Sequence, residues 1–301
     1  MGSAVAGWAV GDAALAHAQH GDWAVGDART MLMRHVPAGV SMEQAALARL
    51  GAISLVRVRE GHVMLGDTVV VLGLGLIGQL AAQLSRLAGA RPVIGVDLIP
   101  GRLRVAAGSG VQAVHPDEAD VAGMVREATD GRMADVVIEA TGNPALVPTA
   151  LDLAAEGGRV VPLGSLRGPV EIDAYATIHR KGIALVGAHE RLAVHPPTFR
   201  DGWTRERNLD LVLGLFDGGA PSEWRVLAGS GAPSEWCVLA GSGGAARMAA
   251  VQTEGAGAPS EWGLRSEGLV SPHIRPEDVA GTYEALIDRP GDFLGVVIDW
   301  E

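Results

Sequence analysis

One cysteine, Cys237, stands in 301 residues, and one lysine, Lys181; every other strongly basic residue is arginine. A lone thiol excludes an internal disulfide framework and any thiolate zinc cluster, and it fits a reducing compartment. Lysine chemistry of any kind has one candidate. Aromatics are few, at 4% of residues, whereas apolar residues reach 48% and glycine 42 positions, the balance of an α/β protein rather than a fibrous or unfolded one. Acidic residues outnumber basic ones, 35 against 24, so the formal charge of −11 argues against a general nucleic-acid or anionic-membrane surface. No apolar run approaches the ~20 residues of a membrane helix. Ahead of Arg29 there is no Lys or Arg to begin a signal peptide, although "AHA" at 16–18 superficially resembles a cleavage site. The expected location is cytoplasmic.

From Ser41 onward the pattern is regular. Ser41 with Gln44 forms a candidate capping box opening a helix through "MEQAALARLGAISLVRV". Then come the strand "GDTVVVLG", the helix "LIGQLAAQLSRLAG", the strand "PVIGVDL", the short helix "GRLRVAAGSG" and the weak strand "VQAVH". "DEADVAGMVREATDG" has the acidic start and glycine end of an amphipathic helix. "DVVIEATG" and "RVVPLGS" read as strands flanking a helix over "PALVPTALDLAAEGG", and "KGIALVGAH" closes the alternation. Strand–helix alternation with apolar strands predicts an α/β fold with a doubly wound parallel sheet. The organisation expected is a first unit at 1–40, a nucleotide-binding unit at 41–190 and a C-terminal segment at 191–301. That segment offers two helices, "RERNLDLVLGLFDGG" and "PEDVAGTYEALID", and a final strand, "FLGVVIDW".

Repeats interrupt the pattern. "GWAVGDA" at 7–13 returns as "DWAVGDA" at 22–28, and "GAPSEWRVLAGS" at 219–230 is followed directly by "GAPSEWCVLAGS" at 231–242. "GAPSEW" recurs at 257–262. A loop of this length, about 219–264, suggests a tolerated insertion, with a Trp-bearing partner site as the alternative. Cys237 occupies the place that Arg225 holds in the preceding copy, which gives no reason to call it catalytic.

"GLGLIG" places Gly73, Gly75 and Gly78 in the G-x-G-x-x-G spacing, between a predicted strand and a predicted helix. The first glycine permits the turn, the second lets backbone approach a pyrophosphate, and the third lets helix and strand pack closely. Asp97 ends the next strand, 19 residues after Gly78. A carboxylate there accepts hydrogen bonds from a ribose and repels a 2′-phosphate, which favours NAD over NADP. Arg102 lies nearby, either softening that preference or covering adenine.

With these residues the chain resembles the medium-chain dehydrogenase/reductase family, on the side of the zinc-dependent alcohol and polyol dehydrogenases. The resemblance runs through "VPAGVSMEQAALA", "LGDTVVVLGLGLIGQLAAQLSRLAGARPVIGVDLIPGRLRVAAGSG", "ADVVIEATG", "GGRVVPLGS" and "HRKGIALVGAH", and resumes at "LVSPHIRPEDVAGTYEALIDRP". It implies a Rossmann domain with Gly73, Gly75, Leu76, Ile77 and Gly78 along the pyrophosphate and Asp97 on the ribose. Thr141 and Gly142 would lie near the cofactor's centre, with Leu163, Gly164 and Ser165 beside the nicotinamide. It further implies a homodimer paired through strands near "KGIALVGA", and an alcohol or carbonyl substrate.

The departures concern metal. Family members carry a β-rich, GroES-like catalytic domain ahead of the nucleotide loop, whereas 72 residues precede Gly73 here, so residues 1–40 and the final strand are expected to be a reduced remnant of it. A zinc ligand of the family falls where Ala48 stands, and catalytic zinc needs three ligands from Cys, His or carboxylate. His17 and His20 share a helical spacing without a third partner. His189 and Glu190 are candidates for a proton relay, or else polar loop residues. The Tyr-x-x-x-Lys pair of short-chain dehydrogenases is not met, because "YATIH" puts His179 where lysine is required, with Lys181 two further on. The expected function is NAD-dependent hydride transfer on an alcohol, polyol or carbonyl. The alternative is a nucleotide-binding module that is inactive or completed by a partner.

Overall fold

Helix α1 (Met42–Glu60) begins where the sequence says it should. Gln44 N–H donates to Ser41 Oγ at 3.2 Å and Ser41 N–H donates to Gln44 Oε1 at 3.0 Å, so the capping box satisfies two donors that a helix start leaves unpaired. The computed structural model describes residues 5–18, 21, 23–27, 31–187, 189, 203–218 and 263–299. The "GAPSEW" repeats, Cys237, His20 and Glu190 lie outside the described residues.

Two short strands, β1 (Ala14–Ala16) and β2 (Met33–His35), pair antiparallel ahead of α1. After α1 come β3 (Val69–Leu72), α2 (Leu76–Leu87), β4 (Val93–Val96), α3 (Pro100–Gly108) and β5 (Gln112–Val114). The second half runs α4 (Val121–Ala128), β6 (Ala134–Glu139), α5 (Leu146–Leu153), β7 (Ala154–Pro162), a π-helical turn at Tyr175–Arg180 and β8 (Ala184–Leu185). The six strands β3 to β8 form one sheet in the order β5-β4-β3-β6-β7-β8, with every pair parallel. This is the doubly wound order, and its reversal point lies between β3 and β6.

The sheet is covered on both faces, which is why β3 can be apolar at every position. Alternation sends Val69 and Val71 to a core shared with α1, α2 and α6 (Arg205–Phe216), and Val70 and Leu72 to a second core with α4 and α5. Helix α1 fits closely on α6: a Cβ on Gly51 would stand 2.6 Å from Val212 Cγ1.

One element differs from the sequence expectation. The helix anticipated over 144–158 stops at Leu153, and Ala154–Gly158 joins β7, with Ala154 opposite Ala134 and an irregularity before Val136. Gly157 and Gly158 are poor helix formers, and they lie in the irregularity between the Ala154 and Arg159 pairings with β6. The final strand, β10 (Val297–Ile298), pairs in parallel with β9 (His273–Ile274). Helix α7 (Val279–Asp288) connects that pair. Helix α6 does reach the N-terminal strands, since Arg34 of β2 makes a two-bonded ion pair with Asp210.

Candidate nucleotide site

All parallel strands end on one edge, so the turns after β3, β4, β6 and β7 gather there: Gly73–Gly78, Asp97, Ala140–Gly142 and Leu163–Ser165. In open α/β sheets ligands lie in the crevice outside these ends, beside the point where strand order reverses.

The glycine turn has little spare room. Gly73 has φ +91°, and a Cβ there would stand 2.6 Å from Thr141 Cγ2. A Cβ on Gly78 would stand 1.9 Å from the Gly73 carbonyl oxygen, so the first turn of α2 touches the turn that precedes it. Gly75 faces open space and caps α2 without a side-chain hydrogen bond, and no acidic residue occupies that helix's first turn. The first N–H groups of α2, at Leu76, Ile77 and Gly78, thus present positive potential with no built-in anion to answer it.

Asp97 is 9% exposed. Its Oδ2 accepts from Leu74 N–H at 2.7 Å and its Oδ1 from Ile99 N–H at 2.8 Å, so it fixes both the glycine turn and the entry to α3. Each carboxylate oxygen keeps a second lone pair for a hydroxyl. Arg102 places Nη1 3.6 Å from Asp97 Oδ2 and donates from Nη2 to the Pro290 carbonyl at 3.1 Å. Its fork is therefore committed to a carboxylate and a carbonyl.

The turns after β6 and β7 are built around Glu139, which is fully buried. Its side chain accepts from Thr141 N–H at 2.7 Å, from the Thr141 hydroxyl and from Gly142 N–H, while its carbonyl accepts from Leu163 N–H at 2.7 Å and Gly164 N–H at 2.8 Å. A Cβ on Gly164 would lie 2.1 Å from Gly142 N. Thr141, Gly142, Leu163, Gly164 and Ser165 are thus one packed pair of turns. Sequence reading passed over Glu139. The signal was an acid closing the otherwise apolar strand "DVVIE", where a buried carboxylate needs donors close by.

The other candidates are not brought to this edge as a set. Lys181 donates from Nζ to the Leu151 carbonyl at 3.0 Å and so caps the end of α5. His179 stacks on Tyr175 at 5.6 Å, and His189 is exposed. Ala48 is fully buried within α1. No group of three His, Cys, Asp or Glu among the described residues could hold a metal ion, so they do not offer the donor set that catalytic zinc requires.

Residues 77–203 match the family model for zinc-binding dehydrogenases. Over these residues the chain is similar to that family. D-guloside 3-dehydrogenase of Escherichia coli (strain K12) is 35% identical over 161 residues, 53% of this chain and 46% of that enzyme. Sorbitol dehydrogenase of Halalkalibacterium halodurans is 32% identical over 166 residues, 54% of this chain and 48% of that enzyme. The chain spans about half the length of these curated relatives. Among solved structures, 2R,3R-butanediol dehydrogenase from Bacillus subtilis superposes with a TM-score of 0.64 at 22% identity, covering 90% of this chain and 61% of that one. The likeness to that structure is one of fold, in keeping with the doubly wound sheet. No described helix is long and apolar enough to cross a membrane.

Proposed function

We propose that this chain binds NAD at the C-terminal edge of its parallel sheet and takes part in hydride transfer between NAD and a small alcohol, polyol or the corresponding carbonyl. The observation that carries the cofactor half is the glycine turn, whose contacts leave no room for a Cβ at Gly73 or Gly78 while Gly75 stands open. The relatives named as dehydrogenases of a guloside and of sorbitol support the substrate class.

In this reading Gly73 and Gly75 with the N–H groups of Leu76, Ile77 and Gly78 hold the pyrophosphate. Asp97 takes the ribose hydroxyls. A 2′-phosphate would meet its negative charge, and Arg102, committed to Asp97 and Pro290, is not turned to relieve it. This favours NAD over NADP. Thr141, Gly142, Leu163, Gly164 and Ser165, held by Glu139, flank the nicotinamide. When bound, the nicotinamide accepts the hydride from the alcohol carbon, and the hydroxyl proton leaves to solvent or a base, giving carbonyl, NADH and a proton. The nucleotide unit in this reading is 41–190. Because the described residues do not fit zinc, no step is routed through a metal.

A second reading rests on the same misfit at Ala48: the chain binds the dinucleotide and turns nothing over alone, or does so only with a partner. The decisive experiment pairs calorimetric NAD binding with NAD reduction against a panel of alcohols and polyols, with and without zinc. Binding with zinc-independent turnover supports a metal-free dehydrogenase. Binding without turnover selects the module, and failure to bind NAD sinks both.

A further inference from the structure

Away from the nucleotide edge, helices α1 and α6 enclose a small cavity that contains an unanswered charge. Arg57 is 2% exposed, and among the described residues its Nε and Nη1 have no hydrogen-bond partner. Arg205, from α6, lines the same cavity and has an unpartnered buried Nε. Arg49 is also in the wall. No Asp or Glu lines it among the described residues. Asp210 is paired with Arg34, and Glu60, three residues after Arg57, is exposed. Burial pulls the Arg57 guanidinium down from its ordinary value, with Glu60 partly opposing; burial and then Arg205 pull Arg49 down.

An isolated buried charge costs several kcal/mol unless paired. We propose that this cavity is a halide-sized anion site, holding a chloride ion between the guanidinium of Arg57 and that of Arg205. Size selects the ligand. The cavity measures about 380 Å³ counting its mouth, but its interior has room for only about one or two water-sized particles. A phosphate or a nucleotide does not fit in that interior, whereas chloride does. The remaining wall is largely aliphatic, including Val56 and Leu209, a lining that suits a weakly hydrated anion better than a network of waters. Asn208 completes the ring. Its Oδ1 is buried without a donor, and a half-turn of the amide exchanges that oxygen for an NH2 facing the cavity. The anion would tie α6, and through Arg34–Asp210 the N-terminal strands, to α1.

The test is ion-specific stability of the whole chain. Melting temperature is measured at constant ionic strength while sodium chloride or sodium bromide replaces sodium gluconate. The expected result is a saturable rise of roughly 2–4 °C with either halide. In Arg57→Met the halide dependence disappears, and the variant melts in gluconate no lower than the parent. An equal response to all three salts, or an undiminished halide response in Arg57→Met, overturns the proposal. If the variant does not fold, bromide-soaked crystals of the parent chain decide through anomalous scattering. A peak beside Arg57 upholds the site and its absence refutes it.

Discussion

Asp97 illustrates how one side chain serves both shape and selectivity. It anchors Leu74 N–H and Ile99 N–H, yet retains lone pairs toward the crevice. Asp97→Ala is expected to weaken NAD roughly tenfold or more, the scale of one hydrogen bond to a charged group, and to narrow the NAD over NADP preference. Calorimetric titration with both cofactors measures this; an unchanged ratio would mean that another group reads the ribose. Gly78 acts by having no side chain. Because a Cβ would stand 1.9 Å from the Gly73 carbonyl, Gly78→Ala should cost ~1–3 kcal/mol of stability and abolish measurable NAD binding. A variant that binds NAD like the parent would show that the turn yields easily. Glu139 belongs to the same scale: its side chain takes three donors from the turn that follows it, while Leu163 and Gly164, which donate to its carbonyl, are brought there only by the fold.

Among elements, α1 was the most legible from sequence and is also the most heavily used. Ser41 and Gln44 announce its start, and Gln44 continues outward to Ser266 Oγ at 3.1 Å. Ser41→Ala should lower unfolding free energy by about 1 kcal/mol, read by urea denaturation, without altering the cofactor preference. The strand β7 was harder to bound. Its first residues, "AAEGG", carry no strand pattern of their own, and only Ala154 among them pairs with β6, opposite Ala134. The "GVVIDW" run signalled a strand correctly, but β10 found β9 as its partner, and periodicity is silent about partners.

For the whole molecule the open edge of the sheet is the feature with consequences. Among the described residues strand β8 pairs on one side only, and its Leu185 is 41% exposed. An exposed apolar edge invites another chain, and we propose that two copies pair along it. Leu185→Lys should then shift the sedimentation profile from dimer to monomer while the melting transition stays near that of the parent. A parent chain that already sediments as a monomer removes the proposal. Residues 1–40 and the C-terminal segment are the least legible at this scale, because short two-stranded pairs carry too few residues for a periodic signal.

The sequence by itself determined the alternating elements, the doubly wound class and the position of the glycine turn. Each of these is local: strand and helix periods, a capping box, and glycines where a Cβ would collide. The tertiary structure alone decided that Asp97 holds Leu74 N–H, that the Glu139 carbonyl receives Leu163 and Gly164, that Lys181 caps α5, where β10 pairs, and that two nitrogens of Arg57 are buried without a partner among the described residues. Those outcomes depend on residues far apart in the chain being packed together in a low-dielectric interior. Only there does an unmatched donor or charge become costly enough to demand a ligand.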